Sequence, residues 1–263
     1  MVRIACDVHT HTLFSRHAYS TVQEDVIVAS ERGMELLGVT DHYSCMLFNE
    51  YTIENFAYFV NLHDWPREWH GVRLLHGCEA DIVDLEGHIF GYDIVVDHGI
   101  NGDVIRRSTL RDQVFRDCDY AIASIHGRDW AKGASIASTT QMYVNALQDP
   151  KVLILGHLGR AGVPFDVDAV VTAARDLGKM IEINEASLHR RDASELEVTC
   201  QGIAERCAEL GTMISFGSDA HTCWKVGASE RVSAMLDEIH FPEELCACRS
   251  AAAFEGALHA ALA

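Results

Sequence analysis

Short apolar runs alternate with amphipathic stretches along most of this chain. Seven runs read as strands: Val2–Val8, Leu36–Thr40, Leu74–Ile82, Tyr120–Ser124, Val152–Gly156, Met180–Asn184 and Met213–Gly217. Most are apolar at consecutive positions, the pattern of parallel strands covered on both faces. Between them, helical spacing predicts helices over Gln23–Arg32, Ile53–Trp69, Thr109–Arg116, Thr139–Gln148, Asp166–Leu177 and Glu195–Leu210. Gly33, Gly178 and Gly211 fall where three of these would stop. The stretch Leu85–Val96 reads as an added β-ribbon with a turn at Glu86-Gly87. Seven β/α units predict an α/β fold whose sheet closes, or nearly closes, into a barrel. No Pro/Ser-rich linker, repeat or low-complexity tract divides residues 1–263, so a single domain is expected.

The polar residues that interrupt this pattern gather at the ends of the strands. The first strand runs into His9 and His11, the second into Asp41 and His42, and the third carries Glu79. The fourth ends at His126 and the fifth at His157; the sixth presents Glu182 and Asn184, and the seventh leads to Asp219 and His221. In a β/α barrel the C-terminal strand ends form the active face, so these positions converge. Imidazole and carboxylate are the usual ligands of borderline divalent metals. A single histidine such as His126 would read as an ordinary structural residue; repetition from strand to strand does not. Eight other histidines, 63, 70, 76, 88, 98, 189, 240 and 259, lack this placement and read as structural or surface residues.

Composition narrows the classes. Hydrophobic residues make up 48% and charged residues 23%, an ordinary globular balance. The net charge of −18 opposes tight binding to a nucleic-acid backbone, which wants clustered Lys and Arg, and a small substrate is expected instead. Nine scattered cysteines without a Cys-x-x-Cys pair read as buried apolar residues in a reducing compartment. With no basic n-region and no apolar run of the roughly 20 residues that span a bilayer, a cytoplasmic protein without a membrane partner is expected.

The motifs Asp7-Val8-His9-Thr10-His11 with His17, Thr40-Asp41-His42, Gly156-His157 and Ser218-Asp219-Ala220-His221 resemble those of the PHP family, named for polymerase and histidinol phosphatase. Glu79 and His126 stand at the intervening family positions, and the resemblance runs from residue 7 to about residue 225. It implies a distorted (β/α)7, TIM-barrel-like fold with the metal site at the C-terminal strand ends. It also implies three divalent ions, zinc with iron or manganese as alternatives. His9, His11, Glu79 and Asp219 would hold the first ion; Glu79 would bridge to a second on His126 and His157; His17, His42 and His221 would hold the third. One departure is visible: Leu158 stands where a proline often follows the fifth-strand histidine, which removes no ligand.

Such a centre suits phosphate esters, because paired ions can generate hydroxide and neutralise phosphoryl oxygens. The expected reaction is hydrolysis of small-molecule phosphate monoesters, with a hydroxide bridging the first two ions as nucleophile. Catalytic roles would fall on Glu79, Asp219 and Arg160; Arg160, three residues past His157, matches phosphate bidentately. Arg128, Arg190 and Arg191 are weaker phosphate candidates, and Asp41 is expected to orient a ligand histidine. The alternatives are a phosphodiesterase, exonuclease or nucleotide phosphoesterase of the same family, a non-catalytic metal-binding module, and an amidohydrolase. The last usually needs a bridging lysine, and none follows the third or fourth strand before Lys132. Neither the natural substrate nor the oligomeric state is readable, nor whether residues 49–70 cover the site.

Overall fold

A computed structural model describes residues 2–190 and 193–262. In chain order the elements are β1 (Cys6–Thr10), α1 (Val22–Glu31), β2 (Leu36–Val39), β3 (His42–Tyr43), β4 (Glu68–Trp69), β5 (Val72–His76), β6 (Cys78–Asp81), β7 (Val95–His98) and β8 (Val104–Thr109). There follow α2 (Leu110–Phe115), β9 (Ala121–Ser124), α3 (Ile136–Leu147), β10 (Val152–Leu155), α4 (Val167–Asp176) and β11 (Met180–Asn184). The last are α5 (Ala193–Leu210), β12 (Ile214–Gly217), α6 (Glu230–Glu238) and α7 (Ala251–Leu262). Sequence pattern had assigned nothing to α6 or α7.

The fold is mixed α/β with mostly parallel strands, arranged in two sheets rather than one closed barrel. One sheet has the order β1-β2-β5-β4 and the other β12-β11-β10-β9-β6-β3, while β7 and β8 form a separate antiparallel ribbon. The second and third expected strands each break and change sheet, at Thr40-Asp41 and at Gly77. A side chain at Gly77 would press on the Tyr120 carbonyl and the Thr40 methyl group. Between β1 and the end of β12 the contact narrows to a few backbone bonds. The Asp219 amide donates to His9 O at 2.8 Å and the His11 amide to Ala220 O at 2.9 Å. No helix among the described residues is long and apolar enough to cross a membrane.

Gly38 shows how tightly the interior is filled. A methyl group there would overlap the Tyr120 hydroxyl, which donates to Val8 O at 2.6 Å. The strands themselves are buried along their whole length in β1, β2, β6 and β9–β12, as expected for sheets covered by helices.

Two expected elements differ. The helix over Ile53–Trp69 is absent; that stretch holds two short 3-10 turns, Ala57–Phe59 and Leu62–Asp64, then β4. Its buried residues, Ile53, Phe56, Phe59 and Leu62, recur every third position, which fits a 3-10 turn and not an α-helix. Asn61, at φ 67°, separates the two turns, and Pro66 follows them. The segment packs as core: Phe56 and Phe59 lie edge-on to Tyr43, with ring centres 5.1 and 6.0 Å apart. The ribbon lies further along than Leu85–Val96. That stretch turns at Gly87, where a single antiparallel bridge joins Ile82 to Ile89, and at Gly91, both at positive φ; the ladder begins at Val95.

Candidate metal centre

His9 and His11 alternate on β1 and so point to one side of it. Around them the strand ends deliver the other expected residues. His42 opens β3, Glu79 lies in β6, His126 and His157 follow β9 and β10, and Asp219 and His221 follow β12. His9, His11, His42, Glu79, His157 and Asp219 are buried, whereas His17 is exposed at the rim.

Glu79 stands at the centre with its two oxygens facing different groups. Oε2 lies 3.4 Å from His9 Nε2, 3.5 Å from His11 Nε2 and 2.7 Å from His42 Nδ1. Oε1 lies 2.6 Å from His157 Nε2 and 3.4 Å from His126 Nε2. Asp219 Oδ1 is 3.2 Å from His11 Nε2 and 3.8 Å from His9 Nε2. At the rim His17 Nε2 and His221 Nε2 are 2.9 Å apart. Within this cluster three sets bring their donor atoms within 4.8 Å and could each hold an ion: His9/His11/Asp219, His42/Glu79/His126 and His11/His42/His221; a fourth such set, Asp84/Glu86/His88, lies apart and largely exposed. His42 therefore stands between the groups and turns Nδ1 to Glu79, beside His17 and His221 but not facing them alone.

Four imidazoles are held by Nδ1 so that Nε2 faces inward. His9 Nδ1 contacts Glu182 Oε1 at 2.6 Å and His126 Nδ1 contacts Asp81 Oδ1 at 2.6 Å. His11 Nδ1 contacts Ser15 Oγ at 3.0 Å, and His221 Nδ1 contacts the Asp219 carbonyl at 2.9 Å. Histidines that bind metal are commonly held this way. Asp41 reaches His11 only through Ser15, whose hydroxyl donates to Asp41 Oδ1 at 2.6 Å. Sequence pattern counted Glu182 among the converging strand-end residues without a specific role and singled out neither Asp81 nor Ser15. A signal existed for Asp81, which shares the face of Glu79 two residues away.

The donor set fits a cation. Glu79 Oε2, Asp219 Oδ1 and both ring nitrogens of His42 are buried without a hydrogen bond among the described residues, although Glu79 and His42 lie within contact distance. Burial pushes the Glu79 carboxyl up, but His126, His9 and His42 outweigh it and hold the group well below the usual carboxylate range. Burial likewise raises Asp219, and Arg160 and His9 hold it well below. Burial lowers His126, yet Glu79 and Asp81 lift it to about 10. Burial and the neighbouring His42 hold His11 well below the usual histidine range. The carboxylates are thus ionised and compete for whatever positive charge the imidazoles can carry.

His157 (φ 30°) and Asp219 (φ 55°) adopt left-handed backbone, which costs side-chain-bearing residues energy and concentrates at functional sites. The His157 amide donates to Glu182 Oε2 at 2.6 Å, and the Asp219 amide is held by His9 O. Arg160 follows His157 in a short 3-10 turn. Its guanidinium donates to Asn184 Oδ1 at 3.1 Å and pairs with Asp219 Oδ2. Arg191 lies outside the described residues. His189 pairs with Glu185 at 2.8 Å, apart from the cluster.

The PHP domain model matches residues 7–187. The chain belongs to the PHP family. A probable phosphatase of Clostridium botulinum (strain Hall) is 36% identical over 244 residues, covering 93% of this chain and 90% of that protein. Probable phosphatases of Caldanaerobacter subterraneus and Aeromonas salmonicida are each 34% identical, covering 93% and 95% of this chain and 87% and 91% of theirs. Among solved structures, the histidinol phosphate phosphatase of Lactococcus lactis, complexed with zinc, L-histidinol and phosphate, superposes with a TM-score of 0.57 at 17% identity. The match covers 90% of this chain and 94% of that one. A chain of an archaeal ribonuclease P superposes at 0.56 with 11% identity, over 97% and 90% of the two chains. These two likenesses concern the fold. This PHP protein is a metal-dependent phosphoesterase.

Proposed function

We propose that this PHP protein hydrolyses phosphate monoesters of small molecules at a centre of three divalent ions. His9, His11, His17, His42, Glu79, His126, His157, Asp219 and His221 would hold them. The observation that carries the reading is Glu79, whose two oxygens face two separate groups of imidazoles beside a cavity lined by Arg160. Zinc suits this nitrogen and oxygen donor set, with iron or manganese as alternatives. Once bound, such ions supply an activated water and neutralise phosphoryl oxygens.

The chain's own residues then bind and orient. Glu79, with its two oxygens facing different imidazoles, would serve two ions. Glu182, Asp81 and Ser15 keep the imidazoles turned inward, and Arg160, steadied by Asn184 and Asp219, presents its guanidinium to the phosphoryl group. The two sheets are read as a distorted (β/α)7 barrel whose C-terminal strand ends carry the site, within a single domain of residues 1–263. Nine unpaired cysteines, mostly buried, support a reducing, cytoplasmic setting.

The test compares p-nitrophenyl phosphate with bis-p-nitrophenyl phosphate in single turnovers of metal-loaded protein. Turnover of the monoester is expected, and cleavage of the diester alone would overturn the reading. Glu79→Ala should lower kcat further than His17→Ala, with a matching loss of bound metal. Arg160→Ala should raise KM for the monoester about tenfold or more, on the scale of a charge-assisted hydrogen bond. Unchanged kinetics would remove Arg160 from the phosphate site.

A further inference from the structure

We propose that the substrate carries a second anionic group, a carboxylate or a second phosphate, received by Arg128, which lines the same cavity as the metal-binding cluster. The inference rests on reading that cluster as the site of phosphate ester hydrolysis and adds the chemistry of the rest of the substrate. The cavity holds about 540 Å³, within the usual range for small-molecule sites. His126, His157, Asp219 and His221 line it together with Arg128, Arg160 and Arg190.

The arginines are not equivalent. Arg160 is committed to Asp219 and Asn184. Arg128 makes one hydrogen bond, from Nη1 to Ala161 O at 3.2 Å, and pairs with no carboxylate among the described residues. Its side chain is exposed where it lines the cavity. Gly162, at φ 66°, lies beneath it, and a methyl group there would overlap the guanidinium. A planar donor with most of its N–H groups unspent thus lines the cavity, a group that suits a carboxylate or phosphate.

Charge balance in the cavity points the same way. The one acid among its described lining residues is Asp219, which already faces Arg160, His9 and His11. An ammonium group entering here would meet guanidinium and find no free carboxylate among the described lining residues. Ile125 and Leu196 add apolar surface suited to a short carbon spacer. The amino alcohol bound in the Lactococcus lactis structure has the opposite charge to the ligand this lining favours.

Non-hydrolysable phosphonates of matched length test this by calorimetry on metal-loaded protein. The set has three to six carbons and ends in methyl, carboxylate, phosphonate or amine. Binding about tenfold tighter for an anionic tail than for methyl, with the amine weakest, is expected; the carboxylate and phosphonate arms tell the two anions apart. Arg128→Ala should erase the preference while methyl-tailed affinity stays within about twofold, and Arg128→Glu should invert it toward the amine. Equal affinity for all tails, tightest binding of the amine, or a preference that survives Arg128→Ala overturns the proposal. Turnover of p-nitrophenyl phosphate by the same sample separates these outcomes from failure of the monoesterase reading. Absence of that turnover removes both.

Discussion

Asp25 sits on the buried face of α1 with neither carboxylate oxygen hydrogen-bonded among the described residues. Burial, reinforced by Asp41 and Asp7, pushes its pKa from 3.8 up to about 8. Between those values the folded chain holds a proton that the unfolded chain has released, so Asp25 makes stability fall as pH rises through that window. Asp25→Asn should therefore raise stability at both pH 5 and pH 9, and by about 4 kcal/mol more at pH 9. Urea unfolding at the two values checks this, and parallel pH dependence in variant and parent would refute it. Glu182 presents a different balance: one carboxylate accepts both the His9 ring N–H and the His157 backbone amide. The amide of Glu182→Gln has a single acceptor oxygen and can serve only one of them. Metal affinity should drop about 10–100-fold, as for other residues that orient a ligand histidine. Metal analysis after dialysis against a weak chelator measures the loss, and full retention with unchanged kcat would exclude the positioning role.

At the scale of elements, the close approach of strands makes Gly38 a sensitive position. Gly38→Ala must displace the Tyr120 hydroxyl from Val8 O, at a cost of about 1–3 kcal/mol, measurable as a lower Tm. The seven strands were legible because runs buried on both faces carry their own signal. Their limits were less so. β1 starts at Cys6 and continues through His9 and Thr10, since those polar side chains find partners inside the fold. The aromatic segment misled because apolar density alone does not separate a three-residue period from one of 3.6. Among site residues, those at strand ends could be read from repetition. Ser15 could not, because it reaches His11 and Asp41 through a loop that no periodicity marks. The break of two strands between sheets was equally hidden, as the pattern records burial but not hydrogen-bond partners.

For the molecule as a whole, two ionised carboxylates and a crowd of buried imidazoles meet where the sheets come together. Without cations that meeting is costly, since Glu79 Oε2 and Asp219 Oδ1 are buried with no hydrogen bond among the described residues. Stripping divalent ions with a chelator should abolish phosphatase activity and lower Tm by several degrees; adding them back should restore both. An unchanged Tm would mean that the cluster is stable by itself. The pairing of residues 9 and 11 with residues 219 and 220 sets an order of events during synthesis. A ribosome-bound chain that has not yet emerged past Ala220 displays His9, His11 and His17 without Asp219 or His221, and its first strand lacks a neighbour on one side. Completion of the His9/His11/Asp219 set and closure of that edge are therefore deferred together until Ala220 has emerged, a step that a chain ending before Asp219 cannot take.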